Sequence, residues 1–234
     1  MEPKRNGARL DVYLRPLAIP ELEESRLLRK PAALDPLRLI AFAGGSGSPI
    51  TPQEVVSRYN EISTGDLDMI AVPAEKLLLE KTVWPLKSAK VCYCLGQYLS
   101  TIAMAGLVGE MLAILLFEAR HGRGQGADVP GVADFEKLGQ RARVVKLAKL
   151  ELVTQTAEKA FNEIQEIRRK YLHFLSFPHR QLRSDAKKTY KAAFRLVNES
   201  IGLRLVPESY ALHVDPDILQ YVKRKLSQGK ENTH

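Results

Sequence analysis

The sequence predicts an all-α fold: an antiparallel helical bundle over residues 51–227, with an irregular N-terminal arm over residues 1–50 and a flexible tail over residues 228–234. Apolar residues recur every three or four positions through the predicted bundle, and the alternation typical of strands is nearly absent after residue 50. With 234 residues, of which 45% are hydrophobic, the chain can bury a core without disulfides or metal. This composition excludes collagen-like and wholly disordered proteins.

The arm is predicted from its six prolines and from the glycine-rich and serine-rich run at residues 44–48. Residues 10–17 and 37–43 are open to interpretation as short strands or as extended chain. Consecutive glycines before a helix can form a phosphate-binding loop, but this run lacks the spacing and the lysine of that motif. We therefore interpret it as a flexible connector.

The first helix is predicted from a capping box. Thr51 is the expected N-cap, Pro52 takes the first helical position, and Glu54 follows three residues after the cap. This helix is expected to end near Ile62. A second helix is expected over residues 74–83, ended by the Trp-Pro pair that follows it.

A long apolar helix is predicted over residues 88–119. Its residues 95–117 carry a single charge, Glu110, and about 20 apolar residues can cross a bilayer, so a membrane span is one alternative. A carboxylate inside a bilayer costs roughly 2.5–3.5 kcal/mol on insertion scales, which favours a central helix covered on all sides. Small residues recur at every fourth position and would let another helix approach closely: Thr101, Ala105, Gly109 and Ala113.

The C-terminal half is predicted to be helical too. A glycine-rich break at residues 121–131 is followed by Asp134, the expected cap of a helix that reaches about residue 141. That helix merges with or bends into a long amphipathic one. The expected ranges of the last three helices are 144–175, 184–199 and 215–226.

Positive charge is concentrated in one part of the chain. The whole chain carries 35 Lys and Arg against 27 Asp and Glu, a formal charge of +8. Residues 137–195 alone hold 15 against five, a net charge of +10. Such a segment favours RNA or another nucleic acid as partner over an ordinary solvated face.

The two cysteines, Cys92 and Cys94, are expected on different sides of a helix, where they cannot bridge each other. Unpaired cysteines indicate a reducing compartment. Residues 1–8 are basic but are followed by no apolar segment of a secretory signal, so a cytoplasmic location is expected. No C-x-x-C, G-x-S-x-G or H-E-x-x-H motif occurs. We therefore expect neither a metal nor a cofactor.

One amphipathic stretch, residues 161–175, combines a histidine with an unusual arginine. At about 100° per residue, His173 lies at the centre of the polar face. Arg168 projects towards the apolar side, where a guanidinium is out of place unless it is paired, and Glu110 is the expected partner. The apolar stripe comprises Phe161, Ile164, Ile167, Tyr171, Leu172 and Leu175, and the polar face Asn162, Glu166, Arg169 and His173.

The spacing Arg168-x-x-x-x-His173 resembles the R-x(4–6)-H motif of the HEPN superfamily (higher eukaryotes and prokaryotes nucleotide-binding). Members are similar to this chain in the order of three helices: a long apolar helix with an embedded acidic residue, here Glu110, the motif-bearing helix, and a helix rich in Ala and Leu. The resemblance covers about residues 88–202. Catalytic members carry a small polar residue directly after the Arg, whereas this chain has Arg169.

The resemblance implies a metal-independent RNA endonuclease that acts as a homodimer in a prokaryotic toxin or defence role, with an antitoxin or regulatory protein as a further partner. RNA would be cut by attack of its own 2′-OH on the adjacent phosphate. A histidine can move the proton and an arginine can stabilise the phosphoryl charge. The implied site has Arg168 and His173 as catalytic residues. The charges around the motif suggest the substrate-binding residues: Arg169 as a second cation, His179 and Arg180 in a loop that is either phosphate-contacting or equally a solvated turn, and Lys187 and Lys188 at exposed positions of the basic helix that follows. Glu110, Asn162 and Tyr171 are the expected supports.

Two alternatives belong to other classes. A HEPN-like bundle without catalysis would bind nucleic acid or a partner protein as a scaffold, and Arg169 favours this interpretation. The interpretation as a membrane-associated helical protein depends only on residues 95–117. We expect no membrane partner.

Overall fold

The computed structural model describes residues 50–63, 72–73, 76–120, 129–172, 179–202, 204–206, 211–213 and 215–231. Contacts divide the chain into residues 1–50 and residues 51–234. Apart from Ile50, the first unit lies outside the described residues, and so do the predictions made for the arm and its glycine run.

The described part of the second unit is helical, as predicted, except for one short hairpin. The hairpin is antiparallel and pairs Leu205 with Leu212, a feature that the sequence did not predict. The last helix reaches Glu231 and so extends into the expected tail. The elements are α1 (Pro52–Ile62), α2 (Lys76–Leu78), a π-helical segment (Leu79–Val83), α3 (Trp84–Cys94), α4 (Tyr98–Arg120), α5 (Val132–Lys137), α6 (Gln140–Lys149), α7 (Gln155–Leu172), a 3-10 turn (His179–Gln181), α8 (Leu182–Ile201), β1 (Arg204–Val206), β2 (Ala211–His213) and α9 (Pro216–Glu231).

The capping box at the start of α1 is confirmed. The Thr51 Oγ1 atom accepts a hydrogen bond from the Glu54 backbone N–H at 3.2 Å, and the Glu54 carboxylate accepts one from the Thr51 N–H at 2.9 Å. Pro52 occupies the first turn. Two N–H groups that the helix start would leave unpaired are therefore satisfied locally.

The predicted helix end at Pro85 is wrong. The chain stays helical from Lys76 to Cys94, and the π-helical segment precedes Trp84, whose N–H bonds to the Leu79 carbonyl five residues earlier. A proline inside an α-helix clashes with the carbonyl four residues before it. The widened turn directly before Pro85 relieves this clash, so the helix continues.

The single long helix expected over residues 88–119 is two helices. Residues 95–97 separate α3 from α4, and Gly96 has a φ of +75°, a left-handed conformation that favours glycine. A Cβ atom at Gly96 would also lie 2.7 Å from Nη1 of Arg58, which reaches the Cys94 carbonyl. The break therefore depends on a glycine inside an apolar run.

Helix α4 is the centre of the helical body. It contacts α3, the π-helical segment and each of α5 to α9. By length and composition alone it could cross a membrane, yet 56% of its most apolar window is buried by the rest of the chain. The predicted row of small residues lies in this buried part, and Ile164 of α7 packs on Gly109: a Cβ atom there would lie 3.6 Å from the Ile164 side chain, an ordinary contact distance.

The long amphipathic helix expected over residues 144–175 is also divided. A turn at residues 150–154 separates α6 from α7, with Glu151 in a left-handed conformation at φ 55° and Thr154 accepting a hydrogen bond from the Ala157 N–H at 3.1 Å. The expected cap at Asp134 is wrong as well, because α5 begins at Val132.

The C-terminal end of α4 is tied to two distant segments by Arg120. Its guanidinium donates to the Leu152 carbonyl at 2.6 Å, pairs with the Asp215 carboxylate at 2.8 Å and lies 3.5 Å from Asp217. Asp215 also accepts a hydrogen bond from the Asp217 N–H at 2.9 Å and so caps α9. One arginine thus links α4, the α6–α7 turn and the last helix.

Candidate functional site

The motif-bearing helix is α7, which packs against α4, α6 and α8. The described residues of its predicted apolar stripe are buried, except that Leu172, the last residue of α7, is 38% exposed. Asn162, Glu166 and Arg169 are exposed on the polar face, as predicted. His173 and Leu175 lie outside the described residues.

Arg168 is paired with Glu110, as the sequence predicted. One Nη atom of Arg168 makes a hydrogen-bonded ion pair with the Glu110 carboxylate, and the two side chains are 30% and 25% exposed. The stem of Arg168 lies directly on Gly106 of α4: a Cβ atom there would come within 2.5 Å of the Arg168 Cδ. The arginine therefore crosses α4 where that helix has no side chain.

One nitrogen of the Arg168 guanidinium makes no hydrogen bond with a described residue. This nitrogen is Nε, which is buried. The pair with Glu110 is reached by solvent at the edge of the α4–α7 contact, so an incoming anion can compete for the outer nitrogens. The ion pair thus orients the guanidinium and partly neutralises it.

Asp185 is a buried hub that the sequence reasoning missed. It lies in the first turn of α8, is 4% exposed, and accepts hydrogen bonds from Lys170 Nζ at 2.9 Å and from the Tyr171 hydroxyl at 2.7 Å. Burial raises the pKa of Asp185, but these two hydrogen bonds, together with the positive charges of Lys170 and Lys188, outweigh it and hold the pKa below its ordinary value. The sequence signal that could have indicated this site is the position of Asp185 as a lone carboxylate among the cations of residues 180–191.

The hydrogen bond to Asp185 limits the role of the Tyr171 hydroxyl. The ring of Tyr171 is 6% exposed and its hydroxyl is committed to Asp185. Burial and the hydrogen bond to Asp185 raise the pKa of Tyr171. Tyr171 therefore supports the contact between α7 and α8, and its hydroxyl does not face solvent.

The predicted substrate-binding cations divide into two groups. Arg180 and Lys188 are exposed and make no ion pair with a described carboxylate. Lys187, expected to be exposed, is half-buried because Glu61 of α1 lies 3.6 Å from its Nζ and also binds Arg183 at 2.6 Å. His179 begins the 3-10 turn, and its side chain lies outside the described residues.

The positive charge of residues 137–195 is reduced by carboxylates from elsewhere in the chain. Glu61 and Glu110 pair with cations of α8 and α7, and Asp134 pairs with Lys137. The exposed cations of this segment without an ion pair to a described residue are Arg141, Lys149, Lys159, Arg180 and Lys188.

The described cysteines offer no metal site. Cys94 is buried, Cys92 is half-buried, and burial raises the pKa of both thiols. Among the described residues, no three His, Cys, Asp or Glu side chains are close enough to hold a metal ion. Comparison with family models, with curated proteins and with solved structures found no match to this chain.

Proposed function

We propose that the chain is a HEPN-type helical protein that acts as a metal-independent RNA endonuclease, assembled as a homodimer, in a prokaryotic toxin or defence role. The position of Arg168 carries this proposal. Its guanidinium lies at the partly exposed edge of α7, is oriented by Glu110 of the long apolar helix, and precedes His173 by five residues. An oriented cation five residues before a histidine in the sequence suits phosphoryl chemistry.

The helix arrangement supports a HEPN-like antiparallel bundle. Lys170 near the end of α7 meets Asp185 near the start of α8, whereas Glu163 meets Arg195 further along α8. Contacts in this opposite order favour an antiparallel pair. The three helices of the resemblance, α4, α7 and α8, also contact one another in all combinations.

The proposed reaction needs two proton transfers. The 2′-OH of RNA loses its proton and attacks the adjacent phosphorus, the bond to the 5′-oxygen breaks, and that oxygen takes up a proton, leaving a 2′,3′-cyclic phosphate and a 5′-OH. One His173 can perform one of these transfers, and the partner's His173 performs the other. Arg168 stabilises the charge on the non-bridging oxygens.

The test is RNA cleavage in the presence of a chelator. His173→Ala should reduce cleavage about 10² to 10⁴-fold by removing the proton-transfer group, with His213→Ala as the matched control. Arg168→Ala should reduce cleavage and also lower stability, whereas Arg195→Ala, which removes a similar Arg–Glu pair away from the motif, should leave cleavage unchanged. A parent protein without chelator-resistant cleavage, or a fully active His173→Ala variant, would refute the enzyme proposal.

A non-catalytic scaffold is the second candidate, and two observations favour it. Arg169 replaces the small polar residue of catalytic family members, and Glu110 partly neutralises Arg168. A scaffold should bind RNA or a partner protein without cutting RNA. Sedimentation at tens of micromolar separates the candidates further, because a strict monomer would contradict the nuclease and leave the scaffold standing.

A further inference from the structure

A cavity of about 310 Å³ lies on the side of α4 that faces the π-helical segment. Pockets for small ligands have volumes of about 300 to 1,000 Å³, so the cavity is large enough for a small organic molecule. Neither the proposed reaction nor the motif helix uses it. Residues from α2, the π-helical segment, α4, α5 and α9 line it.

The walls of the cavity are mainly apolar. Met111, Ile114 and Leu115 of α4 form one wall, with the spacing of a single helix face, and Leu77 of α2 lies on another. Tyr221 of α9, which is 1% exposed, also lines the cavity. An apolar group that entered would leave water on several sides, which favours binding.

The π-helical segment provides the polar part of the lining. Lys81 and Thr82 both belong to it, and the Thr82 hydroxyl donates to the Leu78 carbonyl at 2.5 Å, so Thr82 has no donor left for a ligand. π-helical turns are rare and occur frequently at functional sites. Here the turn coincides with a cavity of ligand size.

The rim carries one positive and one negative side chain that lack ion-pair partners among the described residues. These are Lys81 and Glu136, both exposed. Glu118, the other carboxylate of the lining, is already paired with Lys225 at 2.9 Å. A ligand that complements this rim therefore has an apolar body and a head group with both charges.

We propose that the cavity binds a hydrophobic α-amino acid. Its side chain packs among Met111, Ile114 and Leu77, its carboxylate binds Lys81, and its ammonium group binds Glu136. This site is independent of the proposed nuclease site, so either can fail without the other.

Calorimetric titration of the full chain with L-phenylalanine and two analogues tests the head group. Phenethylamine lacks the carboxylate and 3-phenylpropionate lacks the ammonium group, so each should bind about tenfold more weakly than L-phenylalanine because one charge-assisted hydrogen bond is lost. An analogue that binds as tightly as L-phenylalanine would overturn the proposal. So would the absence of binding for L-phenylalanine, L-leucine and L-tryptophan at millimolar concentration.

Variants test the location. Lys81→Ala should weaken L-phenylalanine about tenfold and leave phenethylamine unchanged, and Glu136→Gln should weaken L-phenylalanine and leave 3-phenylpropionate unchanged. Lys87→Ala, an exposed lysine of α3 outside the lining, is the matched control. Met111→Trp should fill the cavity and abolish binding. If circular dichroism shows that Met111→Trp is misfolded, Ile114→Phe is tested in its place. Full affinity for L-phenylalanine in a folded variant of this kind would overturn the proposal.

Discussion

Replacing Gly106 by Ala tests the placement of Arg168 without changing either member of its ion pair. The added Cβ atom would lie 2.5 Å from the Arg168 Cδ and 3.0 Å from its Nε. Non-bonded carbon atoms pack at about 3.5 to 4.0 Å, so the stem of Arg168 must shift away from Gly106 by about 1 Å. The pair between Arg168 and Glu110 cannot then keep its present geometry.

The size of the effect follows from three contributions. Alanine is favoured over glycine inside a helix by about 0.8–1.0 kcal/mol. Overpacking of a buried contact costs about 1–3 kcal/mol, and a partly exposed ion pair such as Arg168 with Glu110 contributes up to about 1 kcal/mol. Together these ranges allow a net loss of up to about 3 kcal/mol, and we expect Gly106→Ala to lower the free energy of unfolding by about 1–2 kcal/mol, near the middle of that range.

Urea unfolding followed by circular dichroism measures this change, and Gly109→Ala is the matched control on the same helix. A Cβ atom at Gly109 would meet Ile164 and Gln140 at 3.6–3.9 Å, which is ordinary contact. Gly109→Ala should therefore gain about 0.5–1 kcal/mol, and the two midpoints should move in opposite directions. A Gly106→Ala variant as stable as Gly109→Ala would refute this reasoning, and unchanged RNA cleavage in Gly106→Ala would refute the role given to Arg168.

Three further predictions concern the surroundings of the site. The pKa of Asp185 is held below its ordinary value, so the stability that this carboxylate contributes is present at neutral pH and is lost as the pH falls through its folded-state pKa. Asp185→Asn should cost about 1–3 kcal/mol near pH 7 and should reduce the further loss of stability below about pH 4. Urea unfolding at several pH values measures both effects. Lys188→Ala should reduce the slope of RNA affinity against salt concentration by about 1, whereas Lys187→Ala should mainly lower stability, by up to about 1 kcal/mol, because Lys187 pairs with Glu61; an equal effect of both on the slope would contradict this division. Gly96→Ala should lower the free energy of unfolding by about 1–2 kcal/mol because of the positive φ at this position. An unchanged midpoint of urea unfolding would contradict this prediction.

Local signals predicted the helices whose ends are encoded by neighbouring residues. The capping box at Thr51 predicted the start of α1, since all of its partners lie within four residues. The break at Glu151 was missed because a left-handed conformation at a residue other than glycine leaves no sequence signal. The continuation through Pro85 was missed because the rule for proline assumes an α-helix, not a widened turn.

Within the candidate site, the sequence predicted a contact only where a charged residue lies on the apolar face of its helix. Arg168 was recognised because a guanidinium on an apolar face requires a partner, and Glu110 was the charge within the long apolar helix. Lys187 was misjudged because its exposure was inferred from α8 alone, whereas Glu61 comes from α1. Asp185 was missed for the same reason, since periodicity within one helix says nothing about pairing between helices.

The link between Arg120 and Asp215 joins residues 95 positions apart in the chain. During synthesis on the ribosome, α4 is made long before α9, so the face of α4 that α9 contacts stays open to water until the chain has passed residue 215. An apolar surface exposed for that time is a site for aggregation or for chaperones. Docking of α9 therefore cannot begin before residue 215 has been synthesised, and a nascent chain stalled before that point would lack the helix that covers this face of α4.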